Sequence, residues 1–308
     1  MITWTIGAGG LLGSALQRRS PENFQAAPVP WADTQQSIET LKTTAERFQQ
    51  EVGDREWAVI WAAGHATTSS SRAETADELA TFTAVTQAVR DHLPTGSGAF
   101  FVTSSAGGLY AGSEHPPFSE LTKPQPLSAY GELKLAQEAQ ATRELDGVCP
   151  VVIGRIANLY GPGQNLDKLQ GLVSRLTLSA ITKQPINIFV SLDTMRDYIY
   201  ADDAAAVVLY RLQQAITDHR KTTDVQVIGS GQPVSLGHLI HLVQDVVRTR
   251  IPVAYGVHAS SAAQALDLRV HPTNLGEVEA LIQTSLPAGT KRVYLDLFDR
   301  YQLATAAR

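Results

Sequence analysis

Short apolar runs alternate with longer amphipathic stretches over most of this chain. Residues Ile2 to Ile6 are apolar and β-rich, Trp57 to Ala63 (WAVIWAA) is an unbroken apolar run, and Ala99 to Thr103, Val148 to Ile156 and Val225 to Ile228 repeat the pattern. Between them, Ile38 to Glu51, Glu74 to His92, Tyr130 to Glu144 and Ala204 to Ala215 place apolar residues at helical spacing. Strands without polar alternation are buried on both faces, so the order predicts an α/β fold: a doubly wound parallel sheet covered by helices. A second strand is expected over Ala26 to Trp31. Past Asn158 the pattern predicts a helix around Leu169 to Ile181 and a short strand at Ile186 to Val190. From Ser235 onward it predicts helix, strand, an irregular segment and a final helix near Leu295 to Tyr301.

The first run leads into Gly7-Ala8-Gly9-Gly10-Leu11-Leu12-Gly13 and then Ser14-Ala15-Leu16. Strand, glycine-rich turn and helix is the context that a dinucleotide site requires. Gly7 permits the tight turn, Gly10 lets the backbone approach a pyrophosphate, and Gly13 lets the helix lie close on the strand. The helix N-terminus, opening at Leu11 and Leu12, then faces the phosphates. An acidic residue about 20 positions further on ordinarily holds the adenosine ribose. The nearest carboxylate after the expected second strand is Asp33, which either takes the ribose hydroxyls or caps the helix that begins near Gln35. Ala62, Ala63 and Gly64 are small enough for a nucleotide to pass over the end of WAVIWAA, and His65 reads as an ordinary loop histidine.

Candidate chemistry lies further along. Ser104 and Ser105 follow the strand that ends at Thr103, at the carboxyl edge where sheets of this type bind ligands. Ser128 is placed to cap the helix that carries Tyr130 and Lys134. Four residues is slightly more than one turn, so the phenol and the ammonium project from the same face. A neighbouring cation favours phenolate and suits a tyrosine to proton transfer; the same spacing also fits an ordinary surface pair. One of Asp202 and Asp203 is expected to cap the helix that follows them.

A length of 308 residues predicts one large domain and a smaller one. The 25 basic and 30 acidic residues give a net charge of −5, which provides no electrostatic footprint for nucleic acid. Phosphates therefore have to be met by backbone amides and one or two arginines. The single cysteine, Cys149, excludes an internal disulfide and a multi-cysteine metal site, and reads as a buried, inert thiol. No apolar stretch reaches bilayer length, so a soluble, cytoplasmic protein without a membrane partner is expected.

Taken in order, GAGGLLG, WAAG, SSAGGLYAG, YGELK, RIANLYGPGQN and RDYIYADDA resemble the extended short-chain dehydrogenase/reductases. Specifically, they resemble the NAD-dependent epimerase/dehydratase family that acts on nucleotide sugars, from Ile2 to about Ala215. The resemblance implies a Rossmann-like domain over 1–160 with returning segments at about 197–230. A smaller C-terminal substrate domain is implied over 161–196 and 231–308. Tyr130 is then the catalytic acid/base, and Lys134 binds the nicotinamide ribose and favours the phenolate. Ser105, 25 residues before Tyr130, hydrogen-bonds the reacting sugar oxygen. The implied cofactor contacts are Gly7, Gly10, Leu11, Leu12, Gly13, Asp33, Ala62, Ala63, Gly64 and Thr103, with Tyr130 and Lys134. The cofactor is NAD, with NADP the alternative, and no metal is implied. Ser104, Ser105, Asn158 and Arg196 are implied contacts of a nucleotide-diphosphate sugar, and Arg269 joins them by residue type alone. A homodimer through the helices at Glu74 to His92 and Tyr130 to Glu144 is implied as well.

Two departures stand against that pattern. No asparagine occurs between Asn23 and Asn158, so the helix from Glu74 lacks the one often found beside such an active site. The segment before WAVIWAA is also short by about one strand unit. Among activities, dehydration is disfavoured, because Ala106-Gly107-Gly108 follow Ser105 where an acidic pair would drive elimination. An epimerase leads, a 4-keto-sugar-nucleotide reductase uses the same three residues, and an inactive dinucleotide sensor is the alternative of a different class. The nucleotide and sugar are chosen by loops around Gln164 to Gly171 and Tyr255 to His271.

Overall fold

The computed structural model describes residues 1–67, 70–166, 171–218, 222–256 and 265–306; parts of both substrate-selecting loops, and the start of the helix expected from Leu169, lie outside them. The chain opens with β1 (Ile2–Ile6), α1 (Leu11–Arg19), α2 (Thr34–Val52), β2 (Trp57–Trp61), α3 (Arg72–His92), β3 (Gly98–Ser105), α4 (Ala106–Leu109), α5 (Ala129–Glu144) and β4 (Val151–Ile156). It continues through β5 (Asn158–Tyr160), α6 (Leu172–Thr182), β6 (Ile186–Ile188), β7 (Met195–Arg196), β8 (Tyr198–Tyr200), α7 (Ala201–Thr217) and β9 (Thr223–Ile228). The remainder is β10 (Val234–Ser235), α8 (Leu236–Val247), β11 (Val253–Tyr255), β12 (Asp267–Leu268), α9 (Leu275–Val278) and α10 (Leu286–Ala306).

Among the described residues, five strands form one parallel sheet in the order β1-β2-β3-β4-β9. The two-residue period of each strand sends alternate side chains to opposite faces. Trp57, Val59 and Trp61 meet Leu41 and Phe48 of α2 and Phe82 and Val85 of α3 on one face. Ala58 and Ile60 meet Leu12 and Leu16 of α1 and Ala204, Ala205 and Val208 of α7 on the other. Large residues thus fill one layer and small ones let α1 and α7 approach in the second, which is the Rossmann-like, doubly wound arrangement expected. A third core joins α6, α8 and α10 through Leu176, Leu239, Val243 and Val293.

The strand expected over Ala26 to Trp31 does not form. Only Asn23 bridges Thr3, with the Thr3 amide donating to the Glu22 carbonyl at 3.0 Å and the Phe24 amide to the Thr3 carbonyl at 2.9 Å. Pro28 and Pro30 have no amide hydrogen to give to a ladder, so pairing stops after one bridge. The bridge is still enough to flank β1 on its outer side while β2 pairs on the inner side. The chain therefore switches from one side of β1 to the other, and in sheets of this type the carboxyl ends of the strands at such a switch are where ligands bind.

Several helix starts follow local side-chain chemistry. Ser128 caps α5 by accepting the Gly131 amide at 3.2 Å, and Ser71 forms a capping box with Glu74 at the start of α3. The expected aspartate cap of α7 is absent: the capping residue is Tyr200, with no side-chain bond. Asp202 and Asp203 fall inside the first turn, where Asp202 pairs with Arg18 at 2.6 Å and Asp203 accepts the Thr284 amide at 2.8 Å. Cys149 is buried, and burial pushes its thiol pKa up to about 12, which leaves it inert.

Candidate active site

Parallel pairing brings the carboxyl end of every sheet strand to one edge, and most of the candidate residues meet there. Gly7 leaves β1 at φ +91°, and a β-carbon on it would lie 2.5 Å from the Ala63 backbone nitrogen, so the turns after β1 and β2 touch. The Gly10 amide donates to the Gly7 carbonyl at 3.0 Å, and α1 begins behind it with no side-chain cap and no acidic residue in its first turn. Leu11, Leu12 and Gly13 open that helix, leaving first-turn amides that an anion can take. Asp33, by contrast, is a helix cap: its carboxylate accepts the Gln36 amide at 3.0 Å as α2 starts.

Ser105 ends β3 and caps the short α4, accepting the Gly108 amide at 3.1 Å. That bond uses an oxygen lone pair and leaves the hydroxyl hydrogen to donate. Tyr130 reaches the same place because α5 packs unusually close. A β-carbon on Gly131 would lie 2.2 Å from the Gly108 carbonyl oxygen, and one on Gly108 would lie 2.9 Å from the Tyr130 ring. Lys134, one turn on, holds its ammonium 5.7 Å from the centre of that ring. Hydroxyl, phenol and ammonium are therefore neighbours at one strand end.

Lys134 is buried, and two groups hold it: Gln137, which accepts its hydrogen at 3.0 Å, and Glu78, whose carboxylate lies 3.6 Å away. Glu78 also accepts the Gln137 side-chain amide at 3.2 Å and the backbone amides of His65 and Ala66 at 2.9 and 3.0 Å. One carboxylate on α3 thus ties α5 to the loop that continues from Ala62, Ala63 and Gly64.

Ser104 lies apart from Ser105: alternation turns it to the other face of β3, where it is buried and donates to Glu138 at 2.6 Å. Glu138 is held in turn by Arg155 through two bonds of 3.1 and 2.7 Å, and Arg155 donates to the Tyr110 hydroxyl at 2.9 Å. Burial alone would lower the Arg155 pKa; the bonds to Glu138 and Tyr110 hold it above the ordinary value. This network fixes α5 against β3 directly behind the candidate site.

Asn158 lies at the start of β5 with its side-chain amide donating to the Asp197 carbonyl at 2.9 Å. Arg196 and Arg269 come together because β12 pairs with β7, opposing Leu268 to Arg196. Arg196 donates to the carbonyls of Met195 and Ala265 at 2.8 and 2.9 Å, while Arg269 is paired with Asp267 at 2.7 Å. Thr103, half-buried two residues before the end of β3, has a buried hydroxyl oxygen without a hydrogen-bond partner among the described residues.

Glu78 and Glu138 are buried carboxylates beside the candidate site that the sequence analysis does not single out, although a signal is present. On α3 the buried stripe runs Thr75, Phe82, Val85, Val89, and Glu78 falls on it at helical spacing. On α5 Lys134, Gln137, Glu138 and Ala141 share a buried stripe in the same way. A charged residue in an apolar stripe has to be paired, so the pairing was there to be asked about.

The geometry defines a Rossmann-like α/β protein with a Ser/Tyr/Lys cluster at the sheet's carboxyl edge. The family model for the NAD dependent epimerase/dehydratase family matches residues 5–227, and the chain belongs to that family. It is 28% identical over 180 residues to the dTDP-4-dehydro-6-deoxyglucose reductase of Escherichia coli, covering 57% of this chain and 55% of that protein. It is 29% identical over 165 residues to the dTDP-L-rhamnose 4-epimerase of Burkholderia thailandensis, covering 52% of this chain and 44% of that protein. The chain thus spans about half the length of the curated relatives it matches. The Thermus thermophilus UDP-glucose 4-epimerase in complex with NAD superposes with a TM-score of 0.77 at 18% identity, over 96% of this chain and 99% of that one. At that identity the likeness speaks to the fold. No helix among the described residues is long and apolar enough to cross a membrane, and no group of three or more potential metal ligands occurs among them.

Proposed function

We propose that this protein is an NAD(P)-dependent nucleotide-sugar epimerase that oxidises a sugar hydroxyl transiently at Ser105, Tyr130 and Lys134. The observation that carries the reading is the close packing of Gly108 against the Tyr130 ring, which sets the phenol beside Ser105 and one turn from Lys134. Tyr130 takes the hydroxyl proton, Ser105 donates a hydrogen bond to the same oxygen, and Lys134 supports the phenolate. A nicotinamide ring, when bound, supplies the acceptor for the hydride that leaves the same carbon. Tyr130 would give the proton back to the same oxygen when the ketone is reduced again, and inversion would follow were the hydride returned to the opposite face.

The residues suit a dinucleotide. A β-carbon on Gly9 would meet nothing within 4 Å, the first turn of α1 is uncapped, and Thr103 keeps an unpaired buried hydroxyl. Gly7, Gly10, Leu11, Leu12, Gly13, Ala62, Ala63 and Gly64 are the proposed backbone contacts, with Lys134 on the ribose. Asn158, Arg196 and Arg269 are the proposed contacts of the nucleotide diphosphate, and the names of the E. coli and Burkholderia relatives support a dTDP-linked deoxyhexose as the substrate class. A homodimer through α3 and α5 belongs to the same reading, and sedimentation as a monomer at micromolar concentration would contradict that part.

The second reading, a 4-keto-sugar-nucleotide reductase, draws on the similarity to the E. coli reductase. Denaturing freshly purified protein and identifying the released dinucleotide separates the two. Stoichiometric NAD supports the epimerase, because its cofactor is regenerated in each cycle. An empty site that binds NADPH reversibly supports the reductase, and binding of neither removes both readings.

A further inference from the structure

Resting on the reading of Lys134 as a nicotinamide-ribose contact, we propose that Glu78 is a positioning residue that sets which redox state of the cofactor this site prefers. Its carboxylate is the counter-ion of the buried Lys134 ammonium at 3.6 Å, and both side chains are less than a tenth exposed. A buried cation without a partner adds a full positive charge to a poorly screened site. Glu78 cancels that charge. The second oxygen is committed to the His65 and Ala66 amides, and Gln137 bridges both members of the pair, so the carboxylate cannot swing away. Gly64, just past the carboxyl end of β2, lies against the pair: a β-carbon there would stand 3.4 Å from Glu78 and 3.8 Å from Lys134.

Oxidised nicotinamide carries a positive charge and reduced nicotinamide does not. With Glu78 in place the Lys134 environment is close to neutral, so the oxidised ring is tolerated; with Glu78 neutralised, the ammonium repels the oxidised ring and leaves the reduced one unaffected. A carboxylate acting only as a structural staple would change both affinities alike.

The test is to titrate the purified full chain with NADH by its fluorescence and to displace NADH with NAD⁺, comparing wild type with Glu78→Gln after thermal melting has verified folding. The ratio of the NAD⁺ to the NADH dissociation constant is expected to rise about tenfold in E78Q, the scale of one uncompensated charge several ångströms away in a partly screened site. Should E78Q not fold, Glu78→Asp, which withdraws the charge by one methylene, is expected to raise the same ratio about two- to threefold. An unchanged ratio, whether both constants worsen equally or neither moves, overturns the proposal. Failure of the wild type to bind either nucleotide would instead remove the functional reading on which it rests.

Discussion

A β-carbon added to Gly108 would stand 2.9 Å from the Tyr130 ring, so the absence of a side chain at one residue positions the phenol at the other. The consequence is sharp. Gly108→Ala is expected to displace the ring from Ser105 and to lower kcat about 10- to 100-fold, since misplacement of a reacting group by about 1 Å can cost a factor of that order. Overpacking should cost about 1–3 kcal/mol of stability. Turnover of UDP- and dTDP-hexoses, with unfolding in urea alongside, reads both; a G108A enzyme with wild-type kcat would show that Tyr130 is placed by something else.

Two glycines of the first turn are expected to behave oppositely. Gly7 combines φ +91° with a β-carbon position 2.5 Å from Ala63, whereas Gly9 is open. Gly7→Ala should destabilise by about 2 kcal/mol or more through backbone strain and collision. Gly9→Ala should leave stability within about 0.5 kcal/mol and weaken dinucleotide binding, if the open space is where the pyrophosphate approaches. Melting curves and NADH titration of the two variants check this, and equal destabilisation would contradict it.

Asp197 gives the protein a pH signature. It is fully buried between β7 and β8 and accepts the Ser230 amide at 2.7 Å and the Ser230 hydroxyl at 3.1 Å. Burial outweighs those bonds and raises its pKa to about 6. A carboxyl with a raised folded-state pKa contributes its full stability below the unfolded value, near 4, and loses it as pH rises through about 6. The wild type should therefore lose about 3 kcal/mol relative to Asp197→Asn between pH 4 and pH 7. Urea unfolding of both proteins across that range measures the difference; a gap that stays constant with pH would contradict the account.

Much of this was legible in the sequence because it depended on local pattern. The strands Ile2–Ile6 and Trp57–Trp61 are apolar runs, and the Gly7 to Gly13 turn declares itself by spacing. Ser128 caps the helix it was expected to cap, and Tyr130 and Lys134 share a face as their spacing requires. What failed turned on which backbone amides and side chains found partners, near or far in sequence. Ala26 to Trp31 looks like a strand, but its prolines withhold the amides a ladder needs. Ser104 and Ser105 are indistinguishable as residues, and only the face of β3 on which Glu138 waits separates them. The sequence leaves Asp33 open between a ribose contact and a helix cap, and the cap forms; the expected aspartate cap of α7 gave way to Tyr200, a choice at the helix start that composition does not reveal.

The central claim is that Tyr130 exchanges the proton of the reacting hydroxyl. Replacing it with phenylalanine removes one oxygen and leaves the ring that packs against Gly108. Tyr130→Phe should bind cofactor as the wild type does, and should convert the preferred nucleotide-linked hexose about 100-fold more slowly or worse. Measured against UDP- and dTDP-hexoses, with cofactor content determined on the same samples, that loss of turnover at unchanged cofactor binding is the predicted result. A Y130F protein that turns over at the wild-type rate would contradict the account.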